Sequence, residues 1–371
     1  MGPTKVIINH RHLLHNFNLI KKAVRPSKVM GVVKANAYGH GSLACAQSLV
    51  EDGVDYLGVA FPEEGMDLRQ LGLKLPILVF GAHLPRHLQD SLHYDLDLTL
   101  TTEEQLDALE DVCRNTQQKA YVHVKIDTGM GRVGFRYEVV NNILNRIYKS
   151  KCVDLRGVYT HFASADEDDL EYTRRQLSRL LTIRETVHSN LSDTVLFHAA
   201  NSAAIMRIPE AHLDMVRPGV MLYGNPPSPG FPLQWDIKEV MSFQSKVGLI
   251  KELQPGEPVS YNRRFYTKVK TRIAVVPVGY ADGFNRLFTN RGTVLIGGRR
   301  YPVIGAVCMD QIVINIGNDN NIQIGDDVVL YGKQGNEHIA IKEIAAELQT
   351  IPYEVTCWIS SRVQRQHVGN D

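Results

Sequence analysis

The sequence predicts an α/β protein with an N-terminal (β/α)8 barrel followed by a C-terminal, mainly β domain. Three observations carry this. From about residue 28 to 224, apolar runs of strand length alternate with stretches of helical spacing; eight such runs can be counted; and after Trp235 the texture changes to closely spaced strands joined by Gly-rich or charged turns. Repeated strand and helix units suit either a closed barrel or an open doubly wound sheet, and the count of eight favours the barrel.

In chain order the eight strands are expected at Val29–Val33, Tyr56–Ala60, Pro76–Phe80, Leu96–Leu100, Tyr121–Val124, Leu155–Tyr159, Thr194–Phe197 and Leu213–Val216. Helical spacing lies between them, as in Ser42–Val50 and in Thr102–Leu109, which opens with a capping-type Thr and an acidic first turn. The proline-bearing run Asn225–Gly230 reads as a linker, so the barrel is expected over residues 1–234 and the β domain over 235–371, with the first ten or so residues free to pair with the β domain. Strands of that second domain are expected at Thr271–Val278, Thr293–Gly298, Tyr301–Val307, Gln311–Ile316 and Asp327–Tyr331, with a helix at Ile341–Leu348.

The chain has 371 residues, enough for two domains at roughly 150 residues each, and its 41 Lys+Arg against 40 Asp+Glu leave a net charge of +1. No basic face for nucleic acid or a membrane surface is implied. Its apolar runs fall far short of the ~18 residues a membrane-spanning helix needs, and the start lacks the apolar core of a secretory signal, so the protein reads as soluble and cytoplasmic. The 5 cysteines are widely spaced with no C-x-x-C pair, so neither a disulfide framework nor a zinc site is implied, and no metal is expected.

Reactive side chains of a barrel gather at the C-terminal ends of its strands. Those positions hold Lys34 to Gly41, Lys125 to Gly134, His161, His198 to Ser202 and Arg217-Pro218-Gly219. Lys34 follows an apolar strand directly. Desolvation there would lower its pKa and free the amine to form a Schiff base, whereas an arbitrary strand-end lysine reaches out to solvent. Tyr38, Gly39 and Gly41 could cradle an anion. The run Gly129–Gly134 matches G-x-G-x-x-G and makes a dinucleotide site a rival reading, but the strand before it carries Lys125 and Asp127, no acidic residue ends the following strand, and Asp154 is expected ahead of that strand. His123, His161 and His198 read as ordinary hydrogen-bonded histidines rather than metal ligands. Tyr261 and Tyr280, taken alone, read as strand residues.

Nine segments occur in register with one family: Val33–Gly41, Lys125–Arg132, Thr160–Ala163, Ala200–Ser202, Arg217–Gly219, Val259–Tyr261, Gly279–Gly283, Cys308–Asp310 and Ile351–Glu354. Together they resemble the alanine racemases, fold-type III enzymes dependent on pyridoxal 5'-phosphate (PLP), over nearly the whole chain. The resemblance implies interconversion of L- and D-alanine by a two-base mechanism, supplying D-alanine for peptidoglycan. Lys34 would hold PLP as a Schiff base and act as one catalytic base, with Tyr261 as the other on the opposite face. Tyr38, Ser202, the amides of Gly219 and Val220, and Tyr353 would hold the phosphate, and Asn201 would also bind the cofactor. Arg132 would meet the cofactor's phenolic oxygen and the substrate carboxylate, which Met309 would also bind through its N–H.

His161 would bond to Arg217, and Arg217 would face the pyridine nitrogen. Arginine cannot accept a proton, so that nitrogen stays neutral and racemisation is favoured over transamination. Tyr280 and Tyr353 would line the entrance, Lys125 is a candidate for carbamylation, and a homodimer would share its sites, with Tyr261 and Met309 donated by the partner. Asn262 stands where many members have Gly, which leaves a serine or broader amino-acid racemase as the alternative. A fold-type III decarboxylase would need an acidic residue where Arg217 stands.

Overall fold

The computed structural model describes residues 2–81, 84–190 and 194–369. All eight expected runs form strands of one parallel sheet: Lys28–Val32, Tyr56–Val59, Ile77–Val79, Asp97–Leu100, Ala120–Asp127, Val153–Tyr159, Leu196–His198 and Met215–Val216. The first seven pair in chain order, and the eighth returns to pair with the first, which nearly closes a barrel. The remaining seam between the seventh and eighth strands is bridged by the N–H of Arg217 donating to Ala200 O (2.9 Å) and that of Asp214 donating to Phe197 O (3.1 Å). The Gly and β-branched residues of these strands are buried on both faces, as parallel strands under helices require. Helix Glu103–Thr116 starts where its capping signal placed it, with Thr102 accepting from the N–H of Gln105.

The described residues beyond the barrel form three smaller sheets, the least of them the pair Pro258–Val259 and Phe265–Tyr266. The largest runs through Arg299–Pro302, Thr293–Ile296, Asp327–Gln334, Met241–Lys246, Lys5–Asn9 and Gln364–Val368; the remaining one holds Leu249–Leu253, Thr271–Val276 and Ile312–Gly317. The N-terminal strand Lys5–Asn9 belongs to the largest of these and not to the barrel, with Val6 and Ile8 fully buried between its two partners. The C-terminal segment folds back over the barrel: Arg365 Nε donates to Gly39 O at 2.8 Å, and a side chain at Gly39 would collide with the carbonyl of Thr356. No helix among the described residues is long and apolar enough to cross a membrane.

Several local expectations are corrected. The strand expected to reach Val278 stops at Val276, because Pro277 has no N–H to offer the ladder. The strand expected over Tyr301–Val307 ends at Pro302; beyond it Gly305 takes φ 72° in a turn pressed against Val259 and Ser260. Asp154 lies inside Val153–Tyr159, not ahead of it. Tyr261 opens a short 3-10 turn, Tyr261–Arg263, bracketed by positive φ at Ser260 (62°) and Asn262 (59°), and Tyr280 sits in a turn after Pro277, so neither is a strand residue.

Candidate active site

A cavity of about 350 Å³ opens at the C-terminal ends of the barrel strands, lined by Lys34, Tyr38, Lys125, Arg132, His161, Asn201, Ser202, Arg217, Gly219, Val220 and Tyr353. Eleven residues singled out from the sequence therefore meet in one place. Tyr261, Met309 and Tyr280 do not line it.

Lys34 owes its position to an unusual backbone. Ala35, Asn36, Ala37 and Tyr38 all take φ between 52° and 54°, one left-handed turn made without glycine. Such a turn costs roughly 1–2 kcal/mol per residue and persists only where neighbours enforce it. Glu64 supplies part of that enforcement: its Oε1 accepts from the N–H of Ala35 (2.7 Å), and its Oε2 from those of Ala60 (2.7 Å) and Phe61 (3.2 Å). Burial, and then the nearby Arg132 guanidinium, lower the Lys34 pKa below the ordinary lysine value. More of its amine is then neutral near pH 7, the form that is a nucleophile and a base.

Arg132 arrives by the glycine turn. Asp127, at the end of the fifth strand, accepts at Oδ1 from the N–H groups of Gly129 (2.9 Å), Met130 (2.8 Å) and Gly131 (3.1 Å). The carboxylate inside the strand thus organises the turn, and the G-x-G-x-x-G match serves the delivery of Arg132. Lys125, two residues earlier, is buried; desolvation, reinforced by Arg132, Arg217 and Lys34, pushes its pKa down to about 8.

Arg217 is buried at the floor. Its Nη1 donates to His198 Nδ1 (2.8 Å), and its Nη2 to Thr160 O (2.7 Å) and Ala199 O (2.9 Å), with His161 Nδ1 at 3.3 Å. No carboxylate lies within ion-pair distance of it among the described residues. Burial lowers its pKa to about 10, which leaves it charged near neutrality. Burial first, and Arg217 second, hold His161 and His198 far below the usual histidine range, so both are neutral.

At the opposite wall the polar groups are neutral. Ser202 Oγ accepts from the N–H of Gly219 at 3.0 Å, and a side chain at Gly219 would collide with the Tyr38 hydroxyl, so only glycine fits there. The Tyr38 and Tyr353 rings lie 5.8 Å apart. Hydroxyls and backbone amides without a lysine or arginine among them form the kind of concave donor set that holds a phosphate dianion. Phe80, Tyr159 and Cys357 also line the cavity. The strand-end rule would have found Tyr159, which directly precedes Thr160-His161, and Phe80, one residue past Ile77–Val79; Cys357 carried no signal.

Tyr261, Met309 and Tyr280 form a separate group on the β domain, 69%, 51% and 43% exposed. Ser260 Oγ donates to Ala306 O (2.6 Å), while the N–H groups of Tyr280 and Ala281 donate to Cys308 O and Met309 O (3.1 Å each), which ties the three turns together. Asn262 adopts φ 59° and ψ 13°, a left-handed conformation that Asn tolerates better than most residues, so it does here what Gly would do.

Residues 8–227 match the family description "Alanine racemase, N-terminal domain" and residues 240–367 match "Alanine racemase, C-terminal domain". The chain is 40% identical over 368 residues to alanine racemase 2 of Caldanaerobacter subterraneus subsp. tengcongensis, covering 99% of this chain and 95% of the relative. It is 40% identical over 369 residues to the alanine racemase of Carboxydothermus hydrogenoformans, covering 99% and 100%. Among solved structures, the alanine racemase of Clostridium difficile 630 superposes with a TM-score of 0.94 at 40% identity, covering 100% of this chain and 97% of that one. The Bacillus anthracis alanine racemase with bound L-Ala-P superposes with a TM-score of 0.92 at 34% identity, covering 100% and 96%.

Proposed function

The chain belongs to the alanine racemase family, and on that premise we propose that it interconverts L- and D-alanine with PLP held at Lys34, and that it supplies D-alanine for peptidoglycan. The observation that supports this most is the sharing of one cavity by a desolvated lysine, a neutral donor set and a buried arginine. Those residues fit PLP at both ends. Tyr38, Ser202, Tyr353 and the amides of Gly219 and Val220 would hold the phosphate, and Asn201 would also bind the cofactor. When bound, PLP supplies an electrophilic carbonyl for the amine and a ring that withdraws electrons from the substrate Cα.

The chain's own residues do the rest. Lys34 takes or gives a proton at Nζ on one face of the substrate, and Tyr261 does so at its hydroxyl on the other. Arg132 and the N–H of Met309 orient the substrate carboxylate. Arg217, anchored by His161 and His198, presents N–H groups that can only donate, so it keeps a proton off the ring nitrogen. Tyr353 and Tyr280 narrow the entrance. We further propose a homodimer, because Tyr261, Met309 and Tyr280 stand exposed together outside the chain's own cavity. Residues 1–234 then serve as the PLP-binding barrel, apart from the N-terminal strand, and 235–371 as the domain that completes the partner's site. The five free cysteines suit the reducing cytoplasm.

The test is racemisation itself. Purified protein supplied with PLP should abolish the optical rotation of L-alanine while releasing no CO2. Release of CO2 would point to a decarboxylase, and serine racemised as fast as alanine would assign broader specificity.

Two variants probe the cations. Arg217→Glu replaces a donor by an acceptor, so it should slow racemisation by about 10²-fold or more and raise the yield of pyruvate per alanine racemised; an unchanged pyruvate ratio would contradict the role given to Arg217. Lys125 faces Arg132 and Arg217 with its pKa near 8, and two unit charges at ~4 Å repel by several kcal/mol at an effective dielectric near 20. Attack of its neutral Nζ on CO2, with loss of one proton to water, would convert this cation into a carbamate anion able to orient Arg132. Intact protein in bicarbonate should carry the mass of one CO2, and Lys125→Ala should lose activity that added acetate restores. Full activity in Lys125→Ala without acetate would refute it.

A further inference from the structure

Beneath the cavity a line of buried polar groups crosses the barrel interior. His198 Nε2 lies 2.9 Å from His123 Nδ1, His123 Nε2 lies 3.5 Å from Asp97 Oδ2, and Asp97 Oδ1 accepts from Arg156 Nη1 at 2.6 Å. Asp97, His123 and His198 are completely buried, where barrels ordinarily place branched apolar side chains. Room has been made for the line: a side chain at Gly157 would collide with His123 Nδ1.

The protons on this line are fixed by elimination. Arg217 has donors only, so His198 Nδ1 must present a lone pair to it. Neutral His198 then carries its proton on Nε2 and donates to His123, whose Nδ1 must be bare. His123 therefore carries its proton on Nε2, the nitrogen 3.5 Å from Asp97 Oδ2 and, like that oxygen, without a hydrogen-bond partner. Asp97, whose Oδ1 accepts from Arg156, is the nearest acidic side chain to that nitrogen. The donor-only Arg217 end thus sets the proton of both histidines.

We propose that His123, with Asp97 facing its far nitrogen, is a positioning residue: it accepts from His198, locks that histidine in its Nε2–H tautomer and thereby holds the Arg217 guanidinium fixed as a donor at the floor of the site. Neither residue touches the cavity. The link to the ring nitrogen rests on the function proposed above, whereas the tautomer lock does not, and the two can be tested apart.

Nitrogen chemical shifts of protein labelled with ¹⁵N-histidine, recorded with and without added PLP, read the tautomers directly. In the wild type His123 and His198 should both be Nε2–H forms in both samples. His123→Leu fills the space but gives the His198 N–H no acceptor, and leaving it unpaired should mix the His198 tautomers and lower kcat about tenfold, with KM for alanine within about twofold. His123→Gln keeps an acceptor toward His198 and a donor toward Asp97, so it should restore a single His198 tautomer and most of the rate. If the leucine variant does not fold, His123→Phe applies the same break, since it too offers the His198 N–H no acceptor.

The proposal is overturned if wild-type His198 carries its proton on Nδ1. It is equally overturned if the folded breaking variant keeps a single His198 tautomer and its kcat. Predicted tautomers in a protein that racemises nothing would instead leave the lock standing and remove the proposed function.

Discussion

A Lys34→Ala variant is expected to lose racemisation by at least about four orders of magnitude, the loss that follows removal of a group that is both covalent anchor and base. Lys34 is the residue the local fold is built around. It leaves an apolar strand at the cavity mouth, it is followed by four non-glycine residues in left-handed conformation, and its amine is desolvated beside Arg132. Lys34→Arg should not rescue the activity, because a guanidinium does not lose its proton in the working range. Glu64, which binds the first amide of the turn, should matter less; Glu64→Gln retains one acceptor oxygen and should keep the fold. Alanine racemisation and protein absorbance measure these effects together, and a Lys34→Ala protein still active within tenfold of wild type would end the assignment.

The second large effect is a recovery. Tyr261→Phe should lower racemisation by about 10²- to 10⁴-fold, the usual worth of a positioned acid or base. Tyr261 stands on the β domain, 69% exposed and outside its own chain's cavity. If it serves the partner's cavity, a dimer of one Lys34→Ala chain and one Tyr261→Phe chain has one site with both defects and one with neither. Random reassortment makes about half the dimers mixed, so activity should return to roughly a quarter of wild type when independent sites add. The two variants are unfolded and refolded together, and activity no higher than the mean of the two parents would show that each site draws on a single chain.

The barrel was legible in the sequence because each strand is a short apolar run that ends in polar residues at the same end. That regularity also marks Lys34, Lys125, His161, Ser202 and Arg217 as neighbours. Other elements offered no such contrast. Gln364–Val368 is a polar strand on a sheet edge, and its pairing with Lys5–Asn9 joins the two ends of the chain. Met241–Lys246 mostly alternates between buried and half-exposed residues, a strand-like period. Tyr261 was misread because positive φ at Ser260 and Asn262 leaves little trace in composition.

The line from Arg217 to Asp97 is a different case. Its members lie on four different barrel strands or their ends, and only closure of the barrel brings them into contact. Each histidine taken alone is an ordinary hydrogen-bonded histidine, and the order of protons emerges only from the whole line.

Two lysines, Lys34 and Lys125, open into the same cavity, both desolvated and both with lowered pKa. The most direct measurement is therefore to reduce the PLP-loaded protein with borohydride, digest it, and locate the pyridoxyl group by mass spectrometry. The predicted result is a single modified peptide with the group on Lys34. A pyridoxyl group on Lys125, or on no lysine of the cavity, would contradict it.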